Sequence, residues 1–305
     1  MSRWVILVFA WVALLGGIVT GAGLRKSDKL KECGKRLISK PYSYASGGGT
    51  RKRIVGGVEA APGAWPWQVA LLMNGTQFCG GSLVNENWVV TARHCFHELW
   101  SSMDTASWTA SLGEHHLVTS EGFEQFIAVE RIILHPKNDL DKLLILDPGI
   151  APPDYDLALL RLAKPAKLDE YVSPICLLPD GFEFPWAKEC YITGWGKTEF
   201  EGTKPQVIRE ATVKLVPPEI CNQVESYNGS IHVRALCAGF DQGGVDACQF
   251  DSGGPLSCSI GSRFYLTGVV SWGHECARPK KYGVYANMMR MTSWVRDTIA
   301  WYDGL

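Results

Sequence analysis

From Ile54 onward the chain is a succession of short runs rich in β-branched and aromatic residues, each closed by Gly, Pro or Asn. Gln68 to Met73, Ser82 to Val90, Phe126 to Leu134, Leu157 to Leu162, Glu189 to Thr193 and Tyr265 to Ser271 are such runs. Short strands at fairly regular spacing with turn signals between them predict an all-β sandwich or barrel. Only Thr292 to Tyr302 has helical spacing, with Thr292 or Ser293 as cap and Val295, Ile299 and Tyr302 on one side. Residues 54–305 could form one closed unit or two fused barrels, and no repeat of solenoid or propeller period is visible.

The charge pattern separates this region from what precedes it. Residues 1–53 hold eleven Lys and Arg against Asp28 and Glu32, a net +9; with the whole chain at −1, residues 54–305 carry −10. At 46% hydrophobic and 20% charged residues, a wholly disordered chain is excluded. A nucleic-acid-coating protein is not expected, because the basic excess is confined to a short stretch and the large remainder is acidic.

The first apolar run, Trp4 to Val19, follows Arg3 and ends in small residues at Gly21, Ala22 and Gly23, which predicts a secretory signal peptide over residues 1–22. A membrane anchor is the competing reading, but the run is interrupted by Gly16 and Gly17 and falls short of the ~20 residues a span needs. The expectation is therefore a secreted, extracellular protein without a membrane association. Ten cysteines fit an oxidising compartment and up to five disulfides, since no CxxC or Cys/His spacing suggests zinc. Two sequons, at Asn74 and Asn228, fit glycosylation of a secreted surface. Residues 23–53 read as a basic pro-segment ending in Ser46-Gly47-Gly48-Gly49-Thr50-Arg51-Lys52-Arg53, a flexible, protease-accessible connector.

Hydrolytic nucleophiles need a hydroxyl or thiol, a base to take its proton, and a third group that fixes the base's tautomer. Four segments supply such parts. They are Thr91-Ala92-Arg93-His94-Cys95, Asp154-Tyr155-Asp156-Leu157, Asp246-Ala247-Cys248-Gln249-Phe250-Asp251-Ser252-Gly253-Gly254-Pro255 and Val269-Val270-Ser271-Trp272-Gly273. With Ile54-Val55-Gly56-Gly57, Trp65-Pro66-Trp67-Gln68, Phe78-Cys79-Gly80-Gly81-Ser82, Gly194-Trp195-Gly196 and Gly283-Val284-Tyr285, residues 54–305 strongly resemble the trypsin/chymotrypsin family of serine proteases. The chain order His, Asp, Ser is that of this family and of neither subtilisin nor the α/β-hydrolases.

The resemblance implies two six-stranded antiparallel β-barrels with a C-terminal α-helix and the site in the cleft between the barrels. It implies Ser252 as nucleophile, His94 as general base and Asp156 as the carboxylate that orients it, with Ser271 donating to Asp156. The amides of Phe250 and Ser252 would form the oxyanion hole. Asp246 matches the base of the primary specificity pocket and Gly273 and Gly283 its two wall positions, with Ser271 and Trp272 also expected to bind substrate, so that cleavage after Arg or Lys is expected. Cleavage after Arg53, by another protease or by the enzyme itself, would free Ile54 to pair with Asp251. The implied disulfides are Cys79 with Cys95, Cys190 with Cys258, Cys221 with Cys237, Cys248 with Cys276, and Cys33 with Cys176, the last tethering the cleaved pro-segment. Partners would be protein or peptide substrates and protein protease inhibitors; no cofactor is required. Glu114, Glu121 and Glu124 match the family's calcium loop, with an acidic solvated turn as the alternative.

One departure matters most. Phe250 stands where the family usually has Gly, and its ring would overhang the leaving-group side of the cleft. This supports a rival expectation: a catalytically weak homologue that serves as a binding or adhesion module.

Overall fold

A computed structural model of the chain describes residues 33–38, 56–98, 100–137 and 153–304. The expected signal peptide, most of the basic pro-segment, Arg53 and Ile54 lie outside these residues, as does most of the loop between His135 and Asp156.

After a short strand, β1 (Val58–Glu59), six strands close a first antiparallel barrel: β2 (Gln68–Met73), β3 (Thr76–Asn85), β4 (Trp88–Thr91), β5 (Trp108–Leu112), β6 (Gln125–Leu134) and β7 (Ala158–Leu162), in the order β2-β3-β4-β7-β6-β5. The expected single run from Ser82 to Val90 is in fact the end of β3, a turn at Glu86 and Asn87, and β4. Between β2 and β3, Met73 pairs with Thr76 around Asn74 and Gly75, both at positive φ (50° and 81°). Asn-Gly accepts that geometry in a two-residue hairpin turn, and it leaves the Asn74 sequon exposed. Asn228 is likewise exposed on a turn.

The two-residue β8 (Cys176–Leu177) leads to a second set: β9 (Glu189–Gly194), β10 (Arg209–Val216), β11 (Ala235–Gly239), β12 (Pro255–Ile260), β13 (Arg263–Trp272) and β14 (Gly283–Asn287). These six close on themselves because β9 pairs with both β10 and β12, while β1 and β8 add to β10 and β13. The first core includes the fully buried Trp67, Trp88 and Trp108, and the second is built on Leu215, Leu236, Leu256 and Tyr285. Full burial of one large apolar side chain favours the fold by about 1.5–3 kcal/mol, so each barrel carries its own substantial driving force.

The C-terminal helix spans Met288–Asp303, four residues longer at its start than the sequence predicts. Its cap is Asn287, whose Oδ1 accepts from the Met289 amide at 3.0 Å, and not Thr292 or Ser293. Thr292 sits inside the helix because its hydroxyl donates to the Met288 carbonyl one turn back at 2.5 Å, so it has no need of an end position.

All five disulfides are formed in the pairs named above. Around Cys33–Cys176 the pro-segment is seated on the second barrel. The Gly34 amide donates to the Pro174 carbonyl at 2.7 Å, and the Gly34 carbonyl accepts from the Phe264 amide at 2.8 Å. The Arg36 guanidinium lies 4.6 Å from the Trp65 ring centre and 5.0 Å from that of Phe264. The tether is thus reinforced by backbone pairing and by cation–π contacts.

Candidate active site

His94 is the middle residue of a 3₁₀ turn, Arg93–Cys95, that follows β4. Its Nδ1 donates to Asp156 Oδ2 at 2.7 Å, and its backbone amide donates to Asp156 Oδ1 at 2.9 Å. An ionised carboxylate only accepts, so this contact places the neutral imidazole's proton on Nδ1 and leaves Nε2 free as a base. Ser271 Oγ donates to the same Asp156 Oδ2 at 2.5 Å, from the end of β13. Burial alone would push the Asp156 carboxyl up, but the charge of His94 and these hydrogen bonds outweigh it and hold the group below its usual range. For His94 the balance runs the other way: burial pulls the imidazole down, and the charge and hydrogen bond of Asp156 leave it raised.

Asp156 is itself held from the second barrel. Two residues earlier, Asp154 takes Arg234 Nε at 2.9 Å and Nη2 at 2.5 Å, while the Arg234 guanidinium lies 4.3 Å from the Tyr155 ring centre. Tyr155 is at φ 51°, so this clamp fixes a left-handed residue beside the buried carboxylate.

Ser252 lies on the loop before β12, and its carbonyl accepts from the Gly80 amide at 2.7 Å. Gly80 follows Cys79, which is bridged to Cys95 beside His94, so the Ser252 backbone is tied to the strand that the His94 turn is tied to. Gly253 permits the close approach. Its φ is 81°, and a Cβ there would sit 2.2 Å from Thr91 Oγ1. The amides of Phe250 and Ser252 donate to no protein acceptor among the described residues.

Behind Ser252 is a cavity of about 180 Å³ whose lining includes Asp246, Ser252, Ser271, Trp272, Gly273 and Gly283. Asp246 is 3% exposed; its Oδ2 accepts from the Ala277 amide at 3.1 Å, and its Oδ1 has no hydrogen-bond partner among the described residues. Burial raises its carboxyl to about 7, against the opposing effect of backbone donors. A side chain at position 283 would fill the space in front of this oxygen, since a Cβ would come within 2.3 Å of Oδ1. The Trp272 wall packs edge-on against Tyr227, 4.9 Å between ring centres, and Tyr227 is anchored by donating to the Tyr282 carbonyl at 2.6 Å.

Asp251 is buried beneath the same loop, its oxygens accepting from the Gly196 amide at 2.7 Å and the Cys248 amide at 3.0 Å. Burial raises this carboxyl, too, to about 7. Glu114, Glu121 and Glu124 lie between β5 and β6, each with a protein partner. Glu114 accepts from Ser111 Oγ at 2.7 Å, Glu121 from His115 Nδ1 at 3.0 Å, and Glu124 from the Gly122 amide at 2.8 Å. Among the described residues no three His, Cys, Asp or Glu side chains are grouped to hold a metal ion.

The model of the family called Trypsin matches residues 54–295. This chain belongs to the trypsin family. The chain is 42% identical over 254 residues to Transmembrane protease serine 9 of Rattus norvegicus, an alignment covering 82% of this chain and 22% of that protein. The chain thus spans about a fifth of that relative's length. No helix among the described residues is long and apolar enough to cross a membrane.

Besides Arg234, two residues near the trypsin-family site escaped the sequence reading. Lys204 Nζ donates to the Gln77 carbonyl at 2.7 Å and lies 4.7 Å from the centre of the Phe250 ring; burial pulls its ammonium down to about 8. Gln77 Nε2 donates to the carbonyls of Cys79 and Phe250, both at 3.0 Å. No motif marks either residue. The only pointer is the departure at Phe250, which requires some compensating contact.

Proposed function

We propose that this protein is a secreted serine endopeptidase that hydrolyses peptide bonds after Arg or Lys and is made as a zymogen. The observation that carries the specificity is Asp246. A carboxylate oxygen that is buried, without a partner among the described residues and open to a cavity shared with Ser252 calls for a cationic partner, and a substrate guanidinium or ammonium supplies one.

With Arg or Lys seated there, the scissile carbonyl meets Ser252 Oγ. The hydroxyl proton passes to His94 Nε2 as the Oγ–C bond forms, and the Asp156 carboxylate stabilises the imidazolium. The Phe250 and Ser252 amides receive the negative charge on the carbonyl oxygen, each donor contributing on the order of 3 kcal/mol. His94 then protonates the leaving amine, and water enters by the reverse sequence to free Ser252. Phe250 carries the rival reading of a weak homologue, because a Phe at φ 77° is strained by about 1–3 kcal/mol. That strain is already present in the folded chain and adds nothing to the barrier if the amide stays in place, which supports the active reading.

Activation follows from Asp251. A raised, buried carboxyl is stabilised by a cation, and cutting after Arg53 would create one at the Ile54 α-amine. Arg53 also suits the proposed specificity, so an upstream protease of the same kind or self-activation would serve. Arg53→Gln should give a folded chain that reaches the medium and hydrolyses no Arg peptide, before or after treatment with trypsin. Full activity from that uncut chain would overturn the zymogen reading.

A further inference from the structure

Phe250 has a backbone geometry that its side chain opposes, and its amide is one of the two that the proposed chemistry needs. Two contacts hold it there, and a third couples them. Gln77 Nε2 donates to the Phe250 carbonyl at 3.0 Å, Lys204 Nζ lies 4.7 Å from the ring centre, and the same ammonium donates to the Gln77 carbonyl at 2.7 Å. The three residues come from β3, the loop between β9 and β10, and the loop before β12, and they close a ring of contacts through the side chain and carbonyl of Phe250.

We propose that Lys204 is a positioning residue for the reaction, holding the Phe250 amide in the oxyanion hole through the Phe250 ring and Gln77. The proposal rests on the peptidase reading above. With Gly at position 250 the left-handed geometry is reached without strain and no clamp is needed. With Phe, loss of the ammonium leaves a ring free to carry its peptide unit toward the negative-φ region. The Phe250 N–H would then turn away from the carbonyl oxygen, whereas the cavity containing Asp246, which binds the substrate side chain, would be unchanged. The defect therefore belongs to kcat and not to KM.

The test uses the full chain cut after Arg53, with active sites counted by a fluorophosphonate probe and turnover measured on an Arg peptide amide. Lys204→Met keeps the aliphatic stem and removes the charge. It should lower kcat about tenfold, a fraction of the 10²–10³ that a whole oxyanion donor is worth, with KM within twofold. Lys204→Arg, still cationic over the ring, should recover most of the loss. In a Phe250→Gly background, Lys204→Met should change kcat by less than twofold. A tenfold loss that persists in that background, or one carried by KM, would overturn the positioning role while leaving the peptidase reading intact. A crystal structure of Lys204→Met reads the same question without activity. Departure of Phe250 from φ near 77° is expected, and retention of that angle would also overturn the proposal. A parent chain that neither takes the probe nor cuts the peptide would defeat the peptidase reading, with the crystal structure still deciding whether Lys204 holds Phe250.

Discussion

Asp246→Asn should lower kcat/KM for Arg and Lys peptides by about 10³-fold. Removing one partner of a buried charge pair costs about 3–5 kcal/mol, because the substrate cation is left unpaired in a desolvated pocket. The Asn side chain retains the shape of the pocket and an acceptor for the Ala277 amide, so the loss should fall on the charged substrates alone. Stability should respond in the opposite sense. The folded chain holds the Asp246 proton up to about pH 7, against an ordinary value of 3.8. Folding is therefore favoured by this group below about pH 4, and the contribution is lost as pH rises through 7. Asp246→Asn removes that dependence, so its Tm relative to the parent should be higher at pH 8 than at pH 4. An equal difference at both pH values would mean that Asp246 is ionised without cost in the uncomplexed protein.

Asp156→Asn should have the largest effect on turnover. The imidazole Nδ1 now donates to a carboxylate at 2.7 Å; an Asn turned to donate its NH₂ there would favour the opposite tautomer and occupy the Nε2 position that must accept the Ser252 proton. For the triad of this family the corresponding loss in kcat is about 10⁴-fold, and the same magnitude is expected here. The pH profile supplies an independent sign. Asp156 raises His94, so the acid limb of kcat/KM should lie above the ordinary value of 6.5 in the parent and move to lower pH in the variant. A variant with a lowered rate but an unmoved acid limb would show that Asp156 acts by packing alone.

What could be read from the sequence was whatever local chemistry writes into contiguous residues. The turn holding His94, the Asp246 to Pro255 loop and the strand runs each carry their geometry in short segments, because a catalytic turn or a half-buried strand constrains every residue in it. Long-range partners were not readable in that way. Arg234 clamping Asp154, and Lys204 meeting Gln77 of β3 and Phe250, pair residues distant in the chain whose mutual approach is fixed only by closure of the two barrels. The helix start failed for a different reason. Thr292 has the side chain of a cap, yet its hydroxyl is satisfied within the helix, and only the tertiary position of Asn287, with its Nδ2 donating to the Val233 carbonyl at 3.3 Å, settles which residue begins it. Phe250 stands between the two cases: its departure from Gly was visible, but the contacts that let it keep the glycine-like φ of 77° were not.

The proposed reaction is cleavage by Ser252, activated by His94, after a residue paired with Asp246. Its most direct measurement is a peptide-library digest by the full chain cut after Arg53, run beside Ser252→Ala. Cleavage after Arg and Lys is expected, and its abolition in the variant. Preferred cleavage after Phe or Leu, or undiminished turnover by Ser252→Ala, would contradict it.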